Sequence, residues 1–376
     1  MSDMTSTQRT PAPPSRRRDP EVLRASAIQD LLAAVPSIIG IRPEESVVVV
    51  PFLGTRAGGG FRIPLPETLR GMEAEALAGG CAAMMETMPR ATGVLVVVCT
   101  RAGYAEERGI PHLDLGHAVL RRLERTRLDI IAVACIAADG WGRYTDAEEC
   151  RRPRPLLEIE RSETGVLARA VADEPLDIDA LSVLPPVVEE DRALVAEVLR
   201  RPPLVGDTER LVERWLSGPR DVRREGLIVR TLQSPPLRDR VTVQIARSPQ
   251  GGVGVPPGAV GDARAGTDDD HDLELSALLL GSGRAPERGR LARATGLLAR
   301  AAALAPEEAR SSVLTVLAWC WWARGVSSLA GLHLDEALRL DPDDSMARLY
   351  ASLFAARPLP DWVLAAAAEA LDAASA

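Results

Sequence analysis

A chain of 376 residues is long enough for two domains with hydrophobic cores, and its charged and apolar fractions are those of ordinary globular proteins, which excludes disorder of the whole chain. Lysine is absent and all 45 basic residues are arginine, which argues against a Walker-type phosphate loop and against lysine Schiff-base chemistry. The net charge of −8 opposes binding to nucleic acid, and the lack of a long apolar run predicts a cytoplasmic protein with no membrane span.

The chain begins with a segment that has no core-forming pattern. Residues 1–20 are rich in Pro, Ser and Arg and predict a disordered tail. Next, Ser26 and Gln29 form a capping box, and an apolar stripe predicts a first helix that ends at Pro36.

An α/β domain is expected over residues 22–160. Three runs rich in valine and other apolar residues predict buried strands, and their alternation with helical segments implies a mostly parallel sheet covered by helices. An antiparallel edge hairpin is expected at the Asp139–Gly140 turn. The predicted strands cover residues 46–53, 61–65, 93–100, 129–137, 141–145 and 155–159, and the predicted helices cover 66–88 and 112–126.

The remaining chain predicts only helices. A helical extension is expected over residues 163–247 and a helical module over 273–376. Residues 248–272 between them are rich in Gly, Pro and Asp without apolar periodicity, which predicts a mobile linker or loop.

The C-terminal module contains the most specific pattern in the sequence. Residues 311–344 carry suitable residue types at all eight diagnostic positions of a tetratricopeptide-type helical hairpin. With about one and a half such repeats, the hairpin is expected to complete its core against another part of the chain. The eight positions are Leu314, Leu317, Ala318, Trp321, Ala330, Leu334, Ala337 and Pro342.

Several short motifs, taken in order, carry a family resemblance. The motifs are Asp30-Leu-Leu-Ala-Ala-Val-Pro36, Gly40-Ile-Arg-Pro43, Arg62-Ile-Pro-Leu-Pro66, Asp139-Gly-Trp-Gly-Arg143 and Arg238-Asp239. Together they resemble an actinobacterial family known as domain of unknown function 4192. The resemblance supports the fold and the lineage, and implies no activity, cofactor or substrate.

Polar residues at strand ends are the first candidate site. Arg101 follows the second long strand, and Asp139 and Arg143 follow the third. Since ligands of open α/β sheets bind outside the carboxyl ends of strands, the three residues form a minimal anion-binding pocket in one reading and surface ion pairs beside a turn in the other. The turn from Arg42 to Ser46 precedes a strand, which argues against catalysis there. Of its two readings, a structural turn is favoured over a binding role.

Two other clusters have a functional and a structural reading. His112, Asp114 and His117 lack the spacing of a zinc site, so no metal or cofactor is expected. Trp319 and Trp322 fall on the concave face in the register of the repeat, where they would form a protein-binding hot spot unless that face packs on the rest of the chain.

Two functions from different classes follow. The favoured hypothesis is a non-catalytic cytoplasmic protein that binds another protein through its C-terminal helices. The alternative is a small-molecule-binding or hydrolytic enzyme with an anion-accepting pocket at the strand ends. The sequence leaves enzyme activity, the identity of a partner and the oligomeric state open.

Overall fold

A computed structural model describes residues 25, 27–57, 59–66, 69, 71–86, 88, 90–171, 175–201, 207–247 and 269–373. The tail predicted over residues 1–20, Ser26 of the predicted capping box and residues 248–268 of the predicted linker lie outside this part of the chain.

The N-terminal half is built on a six-stranded mixed sheet in the order β2-β1-β4-β5-β6, with β3 also paired to β1. Strands β2, β3, β4 and β5 run in one direction and β1 and β6 in the other, while only β4 and β5 are parallel neighbours. The strands are β1 (Ser46–Leu53), β2 (Arg56–Ala57), β3 (Phe61–Pro64), β4 (Gly93–Cys99), β5 (Asp129–Ala137) and β6 (Gly140–Arg143).

This arrangement confirms a sheet whose strands mostly share one direction, and it adds a detail that the sequence pattern did not give. The chain returns from β1 through β3, which lies antiparallel beside it, and then crosses to β4 on the other side of β1. Consequently β1 lies between two strands of opposite direction to itself, and its valines are buried on both faces.

Helices cover the two faces of the sheet. Val47 and Val49 point to the face covered by α2 (Met72–Glu86) and α4 (Leu113–Leu123). Val48 and Val50 point to the opposite face, which α1 (Ile28–Ile39) covers. The period of two along a strand explains why a continuous valine run serves two cores at once. The remaining helices of this half are α3 (Tyr104–Glu107), α5 (Leu157–Glu160) and α6 (Glu163–Val171).

Two expectations for this half were wrong. Helix α1 continues through Pro36 to Ile39 and ends at Gly40, whose φ of 68° is the left-handed conformation that glycine adopts readily. Packing against the sheet outweighs the hydrogen bond that proline cannot donate. Residues 155–159, expected as an edge strand, begin α5 instead, and only Arg154 bridges to Trp141 of β6.

The C-terminal half is entirely helical among the described residues, as expected. Its helices share one large hydrophobic core that runs from Ile178 to Trp362, so the extension and the C-terminal module pack as one body. The helices are α7 (Ile178–Ser182), α8 (Glu189–Arg200), α9 (Thr208–Ser217), α10 (Val222–Leu232), α11 (Pro235–Ala246), α12 (Asp269–Leu279), α13 (Arg288–Leu304), α14 (Glu307–Ala323), α15 (Ser327–Leu340), α16 (Ser345–Ala356) and α17 (Asp361–Ala373).

None of the helices described here is both long and apolar enough to cross a membrane.

A buried ion pair joins the two parts of this helical core. Arg238 on α11 donates from Nη1 to both carboxylate oxygens of Asp344, at 3.0 and 3.1 Å. Asp344 also accepts from the Ser311 hydroxyl at 3.2 Å and caps α16 through the backbone N–H groups of Met346 and Ala347. Because both side chains are more than nine-tenths buried, removing either partner leaves an uncompensated charge in the core.

We therefore expect Arg238→Ala to lower the free energy of unfolding by roughly 3 to 5 kcal/mol, as is typical when one partner of a buried pair is removed. Urea denaturation followed by circular dichroism measures this. The control is Arg348→Ala, which removes an exposed pair with Asp343 and should cost less than about 1 kcal/mol. Equal losses in the two variants would contradict the role given to Arg238.

Candidate functional site

The antiparallel pairing of β1 with β4 brings together two segments that the sequence analysis kept apart. Ser46 at the start of β1 lies opposite Cys99 at the end of β4, and Cys99 lies beside Ile136 near the end of β5. The turn before β1 therefore meets the carboxyl ends of β4 and β5 at one edge of the sheet. The position of this turn at the start of a strand argued against catalysis there, whereas the antiparallel pairing places it beside the strand-end residues.

Thr100 is the centre of a hydrogen-bond network at this edge. Its hydroxyl lies 3.1 Å from Oε1 of Glu45 and 3.2 Å from Nε2 of His112, and it accepts from the backbone N–H of Ala102 at 3.1 Å. Glu45 Oε1 also accepts from the backbone N–H of Arg101. A hydroxyl donates a single proton, which goes to the carboxylate, so His112 fits here as a donor from Nε2.

Backbone strain is concentrated at the same point. Among the described residues, three other than glycine have a positive φ, and two of them are Glu45 at 37° and His112 at 54°. Such conformations cost of order 1 to 3 kcal/mol each and persist only where the surrounding structure imposes them. Both strained residues hold the hydroxyl of Thr100, which identifies this residue as the focus of the site. Burial also lowers the pKa of His112, which favours its neutral form.

Arg101 is held between two carboxylates. Its Nη2 donates to Glu44 Oε2 at 2.6 Å and to the carboxylate of Asp179, and these hydrogen bonds, that of Glu44 first, raise the pKa of Arg101. Arg42, on the turn before β1, pairs more loosely with Asp177, with 3.6 Å between Nη1 and the carboxylate. The arginines at this edge are therefore already paired, which makes the site less suited to an anion than the sequence suggested.

A cavity of about 810 Å³ opens at this edge, and we call it the strand-end cavity. Its polar groups come from the turn before β1, the end of β4 and α5, while helix α1, the end of β5 and the segment after α6 supply apolar walls. Pockets of this size with mostly apolar walls and few polar groups are typical of small-molecule sites. The polar lining side chains include Arg42, Glu44, Thr100, Arg101 and Glu160; the apolar ones include Leu32, Ala33, Pro36, Ile136, Leu156, Ile159 and Pro175.

Of the three ligand-binding residues predicted from the sequence, Arg101 alone lines this cavity. Asp139 instead accepts from the backbone N–H groups of Tyr104, at 2.8 Å, and Ala105, at 3.1 Å, and so caps α3. Arg143 forms two 2.8 Å hydrogen bonds with the carboxylate of Glu149. Both side chains make local contacts, and neither lines the strand-end cavity.

The two tryptophans predicted as a partner-binding surface are fully buried, which contradicts an exposed role. Nε1 of Trp319 donates to the carbonyl of Leu279 at 3.0 Å, and Nε1 of Trp322 donates to that of Arg357 at 3.1 Å. Trp322 also stacks on Phe354 with ring centroids 4.8 Å apart. The face that carries them packs on neighbouring helices of the chain.

Within the described ranges, no group of three or more His, Cys, Asp or Glu side chains is arranged so that it could hold a metal ion. Asp114 and His117 of the possible metal cluster are exposed, while His112 points to Thr100 instead.

A segment from the helical half closes one side of the site. Pro175 lines the strand-end cavity, Leu176 bridges to Ile41, and Asp177 and Asp179 pair with the two arginines described above. Helix α7 in this segment packs on α15, where His333 is buried against the backbone of Leu181. The cavity thus depends on the docking of the helical half.

This arrangement predicts a loss of stability in mild acid. Burial lowers the pKa of His333 from 6.5 to about 4, so the unfolded chain takes up a proton at a higher pH than the folded protein does. The contribution of His333 to the free energy of unfolding is fully present above pH 6.5. It is lost as the pH is lowered towards 4, by roughly 3 kcal/mol in total. Urea denaturation at several pH values should show this fall, and His333→Gln should weaken it. The same substitution at exposed His117 serves as the control and should leave the fall unchanged.

Sequence reasoning missed the connection between Glu45, Thr100 and His112, and it missed Asp179 altogether. His112 was noticed for another reason, as a possible metal ligand. Asp179 lies 78 residues from Arg101 in the chain, and no local pattern marks it.

The fold and the site define a class: a mixed α/β protein with a cavity at its strand ends, closed by an all-helical C-terminal half. Residues 29–358 match the profile of the family described as Domain of unknown function (DUF4192), and the chain belongs to that family. Neither the curated proteins nor the solved structures contain a significant match to the chain.

Proposed function

We propose that this protein binds a small organic molecule in the strand-end cavity. The observation that carries the proposal is the cavity itself, with apolar walls from α1 and α5 and a few polar side chains around Thr100. Its position at the carboxyl ends of β4 and β5 is where α/β proteins commonly bind ligands. This replaces binding of a protein through Trp319 and Trp322, since both indoles are buried.

The charges at the cavity indicate the kind of ligand. Arg101 is paired with Glu44 and Asp179, and Arg42 is paired with Asp177, so an anion would have to displace a carboxylate. An uncharged or zwitterionic polar group can use the same side chains as donors and acceptors without breaking the pairs. The ligand that fits best has an apolar body and such a polar group.

The resemblance and the composition extend this proposal beyond the site. They favour an actinobacterial origin, a cytoplasmic location and a tetratricopeptide-type hairpin formed by α14 and α15. In this view the hairpin organises the helical core that holds α7 against the cavity, and contact with another protein is a secondary possibility for the outer helical surface.

A thermal-shift screen with nucleosides, apolar amino acids and alkyl glycosides tests ligand binding. A compound at 100 times its Kd should stabilise the fold by about 2.7 kcal/mol. Ala33→Phe should abolish that shift, because Ala33 is a half-buried wall residue of the cavity and the larger ring fills the space. The matched control is Gln29→Phe, a half-buried position on the same helix that does not line the cavity. A ligand that binds equally well to both variants would place its site elsewhere.

Hydrolysis of a bound ester is the second candidate function, and the strained network around Thr100 favours it. The carboxylate of Glu45 is placed to take the proton of the Thr100 hydroxyl as the Thr100 oxygen attacks the ester carbonyl. The alcohol leaves with that proton, and a water molecule that gives its proton to Glu45 then releases the acid from Thr100. If this proton transfer drives catalysis, Thr100→Val should lower the hydrolysis rate of nitrophenyl esters on the order of a hundredfold or more. Hydrolysis that survives in this variant, or is absent from the unmodified protein, would leave ligand binding as the function.

A further inference from the structure

A second cavity lies between the sheet and the C-terminal helices, and we call it the junction cavity. Its volume is about 470 Å³. One wall consists of β3 and α2, and the other consists of the start of α15, the segment before α17 and α17 itself. Apart from Arg62 and Ser327 its side chains are apolar; they include Ile39, Ile41, Leu77, Met84, Leu359 and Val363.

Arg62 is the one charged residue among the described residues that line this cavity, and its hydrogen bonding is incomplete. Nη2 donates to the backbone carbonyl of Glu44 at 2.7 Å. Nε and Nη1 are buried and have no hydrogen-bond partner. Burial is the largest influence on the pKa of Arg62, and it lowers that pKa.

The neighbouring carboxylates are used elsewhere. The Glu44 carboxylate accepts from the Arg101 side chain. The Glu45 carboxylate accepts from the Thr100 hydroxyl and from the backbone N–H of Arg101. Asp179 also pairs with Arg101. Within the described ranges Arg62 therefore has a neutral carbonyl as its hydrogen-bond partner and forms no ion pair of its own.

A half-buried cation with two buried N–H groups in this condition favours a bound anion. Removing a charge from water is costly unless it is paired, and a guanidinium with two unused N–H groups can hold a carboxylate in a charge-assisted pair. The apolar walls next to Arg62 would bury a hydrocarbon chain at a gain of about 0.8 kcal/mol for each methylene group.

We propose that the junction cavity binds an amphipathic anion, a medium-chain carboxylate, whose chain lies between α2 and the C-terminal segment and whose carboxylate pairs with Arg62. Nε and Nη1 are closed to solvent in the structure, so the guanidinium turns from the Glu44 carbonyl towards the cavity when the ligand enters. This site is separate from the strand-end cavity and does not depend on the function proposed for it.

Calorimetric titration of the full chain with decanoate, decanol and decylammonium tests the proposal. Decanoate should bind at least tenfold more tightly than decylammonium, since only the carboxylate can pair with Arg62. Arg62→Gln should remove this preference and leave decanol binding within about twofold, because the apolar walls are unchanged. The comparison among the three compounds needs no variant, so the test holds even if Arg62→Gln does not fold.

Two neighbouring glycines on α2 provide a matched test of location. A Cβ atom added at either Gly79 or Gly80 meets no atom within 4 Å, but only Gly80 lines the junction cavity. Gly80→Phe should reduce decanoate affinity at least tenfold, whereas Gly79→Phe should leave it unchanged. Absence of decanoate binding, equal effects of the two phenylalanines, or equal binding of decanoate and decylammonium would overturn the proposal.

Discussion

The pairing of β1 with β4 in opposite directions is the constraint on which the rest of the molecule depends. Seven residue pairs join these strands, from Ser46 opposite Cys99 to Phe52 opposite Gly93. This register buries the valines of both strands in two cores and places the turn before β1 at the carboxyl edge of β4. A shift by one residue would exchange the faces of every valine and separate Glu45 from Thr100.

The turn between α1 and β1 consequently belongs to both cavities. Ile39 and Ile41 line the junction cavity, while Arg42 and Glu44 line the strand-end cavity. Arg62 contacts the carbonyl of Glu44 from the junction side, and Arg101 contacts its carboxylate from the strand-end side. Glu44 therefore connects the linings of the two cavities.

The helical half contributes to these sites through packing. Its core includes Ile41 from the turn, together with Trp319 and Trp322, so the indoles fix the position of the helices instead of offering a surface. Helix α7 connects these helices to the strand-end cavity, because it packs on α15 and its Asp179 pairs with Arg101. A buried pair such as Arg238 with Asp344 contributes mainly by fixing which helices meet, since its own desolvation offsets much of its attraction.

The sequence by itself determined the apolar strands, the change from α/β to helical structure near residue 163 and the membership suggested by its motifs. These features depend on local periodicity and residue type, which act within a few neighbouring residues. Only the tertiary structure decided that β1 runs against β4, that α1 continues through Pro36, that Asp139 and Arg143 serve local contacts, and that Trp319 and Trp322 are buried. The tertiary structure also decided that Glu45, Thr100, His112 and Asp179 lie at one edge of the sheet. Each of these depends on which distant segments pack together, and the free energy of that packing is not encoded in any short stretch of the chain.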